Sequence, residues 1–145
     1  MMNKILFALT LVFSLAFISC SSANKTKNDV PNASLTNTYW KLSLANDRPV
    51  VTPDNSREVH IKFRNEGNQL QGFAGCNGLG GNYVLSGTNG IKITAITTKM
   101  YCERMETENF LTDAITKADN YRVKGEKLSL YQGKKLLATF DSVYF

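Results

Sequence analysis

The chain is poor in the residues that most often carry chemistry. Among its 145 residues there is one histidine, His60, and three cysteines, with no Cys-x-x-Cys spacing. A structural zinc site needs four Cys or His ligands. Since Cys20 is predicted to carry a lipid, only His60, Cys76 and Cys102 would remain, which is too few. The residue pattern shows no nucleophile–base pair, and His60 falls on the polar face of a predicted strand, where we expect it to be exposed. The sequence therefore predicts a protein that is not an enzyme and holds no metal or cofactor.

The chain also lacks an apolar run long enough to cross a membrane. The longest, residues 5–18, follows Lys4 and has 14 positions, whereas a spanning helix needs about 20. A charged start, an apolar run and a small residue before Cys20 are typical of a signal peptide, and Phe17-Ile18-Ser19-Cys20 resembles a bacterial lipobox. We predict a signal peptide over 1–19 and a lipidated Cys20. A short buried helix is the alternative interpretation.

Residues 20–34 contain no aromatic side chain, leucine or isoleucine, so they cannot bury enough surface to offset their chain entropy. We predict a flexible tether here and one folded domain over 35–145. The net charge of +5 comes from scattered basic residues without a cluster, which argues against nucleic acid as a partner. The expected partners are the membrane, through the lipid, and another envelope protein. The expected oligomeric state is a monomer and the expected location is the outer membrane.

Once Cys20 is assigned to the lipid, Cys76 and Cys102 remain as an even pair. In an oxidising, exported compartment such a pair indicates a disulfide. A reactive thiol or a pair of metal ligands is the functional alternative.

Residue patterning predicts a mostly β fold with one helix. Alternation of apolar and polar residues marks about eight short strands, beginning with Tyr39–Leu44 and Glu58–Arg64. The segment 46–57 between those two holds two prolines and is predicted as a loop. The period changes over Glu103–Ala118, where an apolar stripe predicts a helix, with Glu103, Glu106 and Glu108 near its start. Short strands with tight turns favour a barrel or highly curved sheet that the helix caps.

The stretch GFAGCNGLGGNY, residues 72–83, raises three possibilities: a phosphate cradle, a redox site or a structural turn. A phosphate loop needs Gly-Lys-Ser/Thr before a helix, and here there is no lysine and a strand follows. We interpret the glycines as a reversal between two strands. A ligand contact is the alternative.

Taken together, the motifs resemble the META domain, also called the HslJ-like family, over roughly residues 36–143. The resemblance rests on Gly75-Cys76-Asn77, Gly81-x-Tyr83, Thr98-Lys99-Met100-x-Cys102 and Glu108-x-Phe110. The family's arginine is Lys99 here, and a common proline is Glu103. The resemblance implies a small β-barrel-like fold with a helix, an envelope location often reached as a lipoprotein, a link to heat shock and stress tolerance, and no known catalytic activity.

These observations leave two hypotheses for function besides an enzyme. One is a stress-associated envelope lipoprotein that binds another protein. The alternative is a carrier of a small apolar ligand inside the barrel. Asp141-Ser142-Val143 also resembles a bacterial O-glycosylation sequon, with an ordinary strand end as the alternative.

Overall fold

The computed structural model describes residues 31–45, 47–103 and 105–145. Within them lie one α-helix and nine strands, which confirms the predicted mostly β fold with one helix. The strands are β1 (Tyr39–Ala45), β2 (Arg48–Pro49), β3 (His60–Arg64), β4 (Gln69–Phe73), β5 (Gly78–Ser86), β6 (Gly90–Thr97), β7 (Asn120–Lys124), β8 (Lys127–Gln132) and β9 (Lys135–Val143). The helix α1 spans Met105–Lys117, and a short 3-10 helix covers Glu66–Asn68. The ninth strand is the two-residue β2, which lies in the predicted loop.

All nine strands form one antiparallel sheet in the order β2-β1-β3-β4-β5-β6-β7-β8-β9. Because β1 also pairs with β9 along most of its length, from Tyr39–Val143 to Ala45–Ala138, the sheet closes into a ring. The ladder is weakest between β6 and β7, which pair only at Gly90 and Asn120. Helix α1 packs against β6, β8 and β9, beside this weak seam.

The inward faces of the strands form one apolar core. Alternate residues of each strand point inward, as the period of an extended chain requires. Trp40 is fully buried, and its indole Nε1 donates a hydrogen bond to the Leu35 carbonyl at 2.9 Å. Other fully buried side chains come from four further strands and from α1, namely Ile61, Phe63, Leu70, Leu128, Leu130, Phe140, Leu111 and Ile115.

Three local predictions were wrong. The first concerns the glycines 78, 80 and 81, which were predicted to form the reversal between two strands. The chain instead reverses at residues 74–77, where Ala74 N donates to Asn77 O at 2.9 Å, and Gly78, Gly80 and Gly81 lie inside β5.

The other two concern His60 and the tether. His60 is buried instead of exposed, because the ring of Tyr39 stacks on it with centroids 4.2 Å apart. Residues 32 and 33, assigned to the tether, contact the domain: Asn32 Oδ1 accepts from Gly125 N at 2.7 Å and Ala33 N donates to Gly125 O at 2.8 Å.

Candidate functional site

Motif residues that lie far apart in the sequence meet at one end of the ring. The reversal between β4 and β5 brings Gly75, Cys76 and Asn77 there, and Gly75 has a φ of 125°, which favours glycine. The segment after β6 brings Thr98, Met100 and Cys102 there. The first turns of α1 add Glu108. We call the segment 98–103 the display loop, since it runs over this cluster to α1.

Asn77 is the centre of the cluster. Its side chain is buried, and its amide Nδ2 donates to the Met100 carbonyl and to Glu108 Oε1, each at 2.9 Å. Its Oδ1 accepts from Thr98 Oγ1 and from Met100 N, each at 2.8 Å. The side chain thus uses both of its donors and both acceptor sites, as a buried amide should. No other residue type of this size offers the same pair of donors and acceptors, which explains asparagine at this position.

Glu108 ties the helix to this cluster. Its carboxylate is buried, and Oε2 accepts from the backbone N of Asn77 at 2.8 Å while Oε1 accepts from the side chain. Glu108 was predicted as a residue of the family motif and as a charge near the start of the helix, but its buried contact with Asn77 was not predicted. A usable signal was present: Glu108 precedes Leu111 by three positions and Ile115 by seven, so it lies on the apolar face of the helix. Glu106, in contrast, is exposed on the opposite side.

A disulfide adds a covalent link beside the hydrogen bonds. The structure joins Cys76 to Cys102 with their Cα atoms 5.8 Å apart. The bond connects the β4–β5 reversal to the far end of the display loop. The loop is therefore fixed near its start by Thr98, in its middle by the backbone of Met100, and near its end by Cys102.

The fixed loop exposes large apolar side chains. The side chain of Met100 is 64% exposed and that of Tyr101 is 92% exposed, although the backbone of Met100 is bonded to buried Asn77 on both sides. Ile96, just before the loop on the outer face of β6, is also exposed. Buried polar groups thus hold a loop whose exposed side chains include the apolar Met100 and the aromatic Tyr101.

The remaining motif residues are structural and lie apart from this cluster. Gly81 in β5 faces Ala95 of β6 so closely that a Cβ on it would lie 2.0 Å from the Thr94 carbonyl oxygen. Tyr83 is buried, with its ring 5.1 Å from that of Phe63 and its hydroxyl donating to Arg64 O at 3.1 Å. Phe110 is half-buried on α1 and lines a cleft with Val50 and Val51.

Other predicted sites have different outcomes. Cys20 and its signal peptide lie outside the described residues. The Ser142 hydroxyl oxygen is buried in β9, which leaves no room for an attached sugar in the folded domain. Over residues 31–145, apart from positions 46 and 104, no cluster of three or more His, Cys, Asp or Glu could hold a metal ion. The same part of the chain contains no helix with the length and apolarity needed to cross a membrane.

Comparison with known proteins agrees with this architecture. Residues 33–144 match the META domain, so the chain belongs to the META domain family. A solved structure, the NMR structure of a protein from Burkholderia xenovorans, is 25% identical, with a TM-score of 0.63 over 77% of this chain and 85% of that one. A second NMR structure is 20% identical, with a TM-score of 0.56 over 72% of this chain and 87% of the other, and shows the fold alone. A search of curated proteins found no match.

Proposed function

We propose that this protein is a non-enzymatic lipoprotein of the cell envelope whose META domain binds another envelope protein and supports tolerance of stress such as heat. The observation that carries the proposal is the display loop, where Met100 and Tyr101 are exposed on a backbone that Asn77 and the disulfide hold in place. The membrane anchor in this proposal is the lipid on Cys20.

The surface has the composition of a protein-binding site. Tyrosine and methionine are enriched at protein interfaces, and tyrosine is frequent among the residues that dominate binding energy. A loop already held in its bound shape loses little conformational freedom when a partner docks, which strengthens binding without added contacts. The tight network under the loop is thus the feature that makes a short apolar surface effective.

Two observations support an exported location. The lipobox-like sequence ends at Cys20, and the remaining two cysteines form a disulfide, which persists in oxidising compartments and is rare in the cytosol.

Carriage of a small apolar ligand inside the ring has less support. The interior positions are occupied by large side chains, among them Trp40, Phe63 and Phe140, all fully buried. A ligand of useful size would have to displace part of this packing, at a cost of several kcal/mol for each aromatic side chain moved.

The test is affinity purification of the full-length protein from its own envelope after chemical crosslinking. We expect the wild type to be crosslinked to a discrete partner protein and the double variant Met100→Ala/Tyr101→Ala to lose that partner. Val84→Ala is the control: it removes an exposed apolar side chain from β5, outside the display loop, and should retain the partner. An intact mass with acyl chains on Cys20 is expected from the same sample. Recovery of the same partner with the double variant would contradict the proposal.

The stress role is tested separately in cells. We expect that deleting the gene lowers the survival of the cells under heat stress. Expression of the wild-type protein should restore survival, and expression of the double variant should not. Equal restoration by both would show that any role in stress does not use the display loop.

A further inference from the structure

The chain enters the domain at the end of the ring opposite to the display loop. Asn32 and Ala33 bond to Gly125 in the β7–β8 turn, and Asn37 N donates to Phe63 O near the end of β3. From there β4 runs away to Phe73, which pairs with Gly78, and Leu79 pairs with Thr97 at the start of the display loop. We call the first end, made of residues 32–38, 124–127 and 143–145, the entry end.

The entry end exposes two aromatic side chains. β9 finishes there, since Val143 pairs with Tyr39 and Ser142 N donates to Glu126 O at 2.8 Å. Tyr144 is 66% exposed and Phe145 is 99% exposed, and the Phe145 ring meets the edge of Tyr39 with centroids 5.2 Å apart. Adjacent aromatic side chains of this kind partition readily into the headgroup region of a bilayer.

Several charges near these aromatics are paired with a charge of opposite sign. Lys127 pairs with Asp141 at 2.6 Å, and Arg64, near Asn37, pairs with Glu66 at 3.3 Å. Lys124 and Glu126 in the turn are both exposed. Because these pairs cancel much of the local charge, we expect apolar contact to contribute more than charge to membrane binding at the entry end.

We propose that the entry end lies on the lipid surface, with Tyr144 and Phe145 in the headgroup region, and that the display loop consequently faces away from the membrane. This inference rests on the proposed lipidation of Cys20. Ten residues separate Cys20 from Pro31, so the two can be at most about 40 Å apart. That reach is similar to the width of a domain of this size and does not by itself select an orientation.

The aromatic pair favours this orientation because it lies at the end where the chain enters the domain, and the tether keeps that end concentrated at the membrane. Under that condition a contact too weak to recruit a free protein is enough to hold one face down. The occupant of this surface is thus a lipid bilayer, whereas the occupant of the display loop is a protein. The entry end would thus contact lipid, and the display loop at the opposite end of the strands would contact protein.

Fluorescence quenching in vesicles tests the orientation. The acylated protein is reconstituted in phosphatidylethanolamine–phosphatidylglycerol vesicles that carry lipid spin-labelled near the headgroup. The variant Tyr144→Trp reports on the entry end, and Tyr101→Trp is the matched control on the display loop. Both positions are exposed, and Trp40 is buried and gives a constant background that the wild type measures.

We expect a blue shift and a large loss of emission for Tyr144→Trp, changing little with salt, and neither effect for Tyr101→Trp. Equal quenching at both positions, or stronger quenching for Tyr101→Trp, would overturn the inference. Absence of acyl chains on the native protein would instead refute the proposed lipoprotein. In that case a lipid coupled chemically to the Cys20 thiol supplies the anchor, so that the orientation is still measured.

Discussion

Asn77 binds both carboxylate oxygens of Glu108, one through its backbone N–H at 2.8 Å and the other through its side-chain amide at 2.9 Å. These two residues are 31 positions apart, and their contact fixes helix α1 against the β4–β5 reversal. Since the same amide holds Met100 on both its N–H and its carbonyl, one buried side chain sets the positions of the helix and of the display loop together.

Replacement of Asn77 should therefore be costly. Asn77→Ala keeps the backbone N–H that binds Glu108 but removes the side-chain donor to that buried carboxylate and both partners of the Met100 backbone. We expect a loss of about 3 kcal/mol in the free energy of unfolding. Thr98→Val is the control, because it removes one hydrogen bond to the same amide and should cost about 1 kcal/mol. Urea unfolding followed by circular dichroism measures both. Equal losses would show that Asn77 does not organise the cluster.

The disulfide should contribute a similar amount by a different route. Cys76 and Cys102 are 26 positions apart, and closing a loop of that length restricts the unfolded chain by about 3.5 kcal/mol in the entropic account. The variant Cys76→Ser/Cys102→Ser should be less stable by about this amount. Adding a thiol reductant should weaken the wild type equally and leave the variant unchanged. If the reductant also destabilised the variant, the loss of stability would not come from breaking the Cys76–Cys102 bond.

Two glycines of β5 should respond oppositely to the same substitution. At Gly81 φ is 154° and a Cβ would lie 2.0 Å from the Thr94 carbonyl oxygen, so Gly81→Ala should cost about 3 kcal/mol. At Gly78 nothing lies within 4 Å of such an atom, and Gly78→Ala should be neutral or stabilise by about 0.5 kcal/mol. Thermal unfolding of the two variants checks this contrast. A destabilised Gly78→Ala would contradict the described path of β5.

His60 should make stability depend on pH in a defined direction. Burial under Tyr39 lowers the pKa of the imidazole below its usual 6.5, although its hydrogen bond to the Glu58 carbonyl opposes this. The unfolded chain then binds the proton first, so this residue favours folding above pH 6.5, and that contribution declines as pH falls from 6.5 to the folded pKa.

His60→Gln should flatten that part of the stability curve. Urea midpoints recorded at several pH values between neutral and mildly acidic give the slope for each protein. A slope that is unchanged in His60→Gln would assign the pH dependence to carboxylates instead.

The sequence predicted the strands and helix better than the cluster that joins them. Alternation in β1 predicted Trp40, Leu42 and Leu44 on one face, and the first two are buried. Leu44 is only half-buried because the register with β9 shifts after Leu42. Such a bulge depends on the partner strand, which periodicity does not reveal.

Residue patterning could not predict contacts between residues that are far apart in the sequence. His60 lies on the outer face, as predicted, but Tyr39 covers it there. Glu108 is polar yet buried, because its hydrogen-bond donors come from a reversal far away in the sequence. The glycines of β5 were read as turn residues, while Gly81 is required by the close backbone of β6.

Site-specific photo-crosslinking in living cells tests whether the display loop is the surface that binds another protein. A photoreactive amino acid replaces Tyr101 in one strain and Thr88, an exposed residue in the β5–β6 turn, in another. We predict a discrete crosslinked envelope protein from position 101 that is absent from position 88 and disappears when Asn77→Ala is added. No crosslinked protein from position 101, or the same one from both positions, would contradict the claim that the display loop is the binding surface.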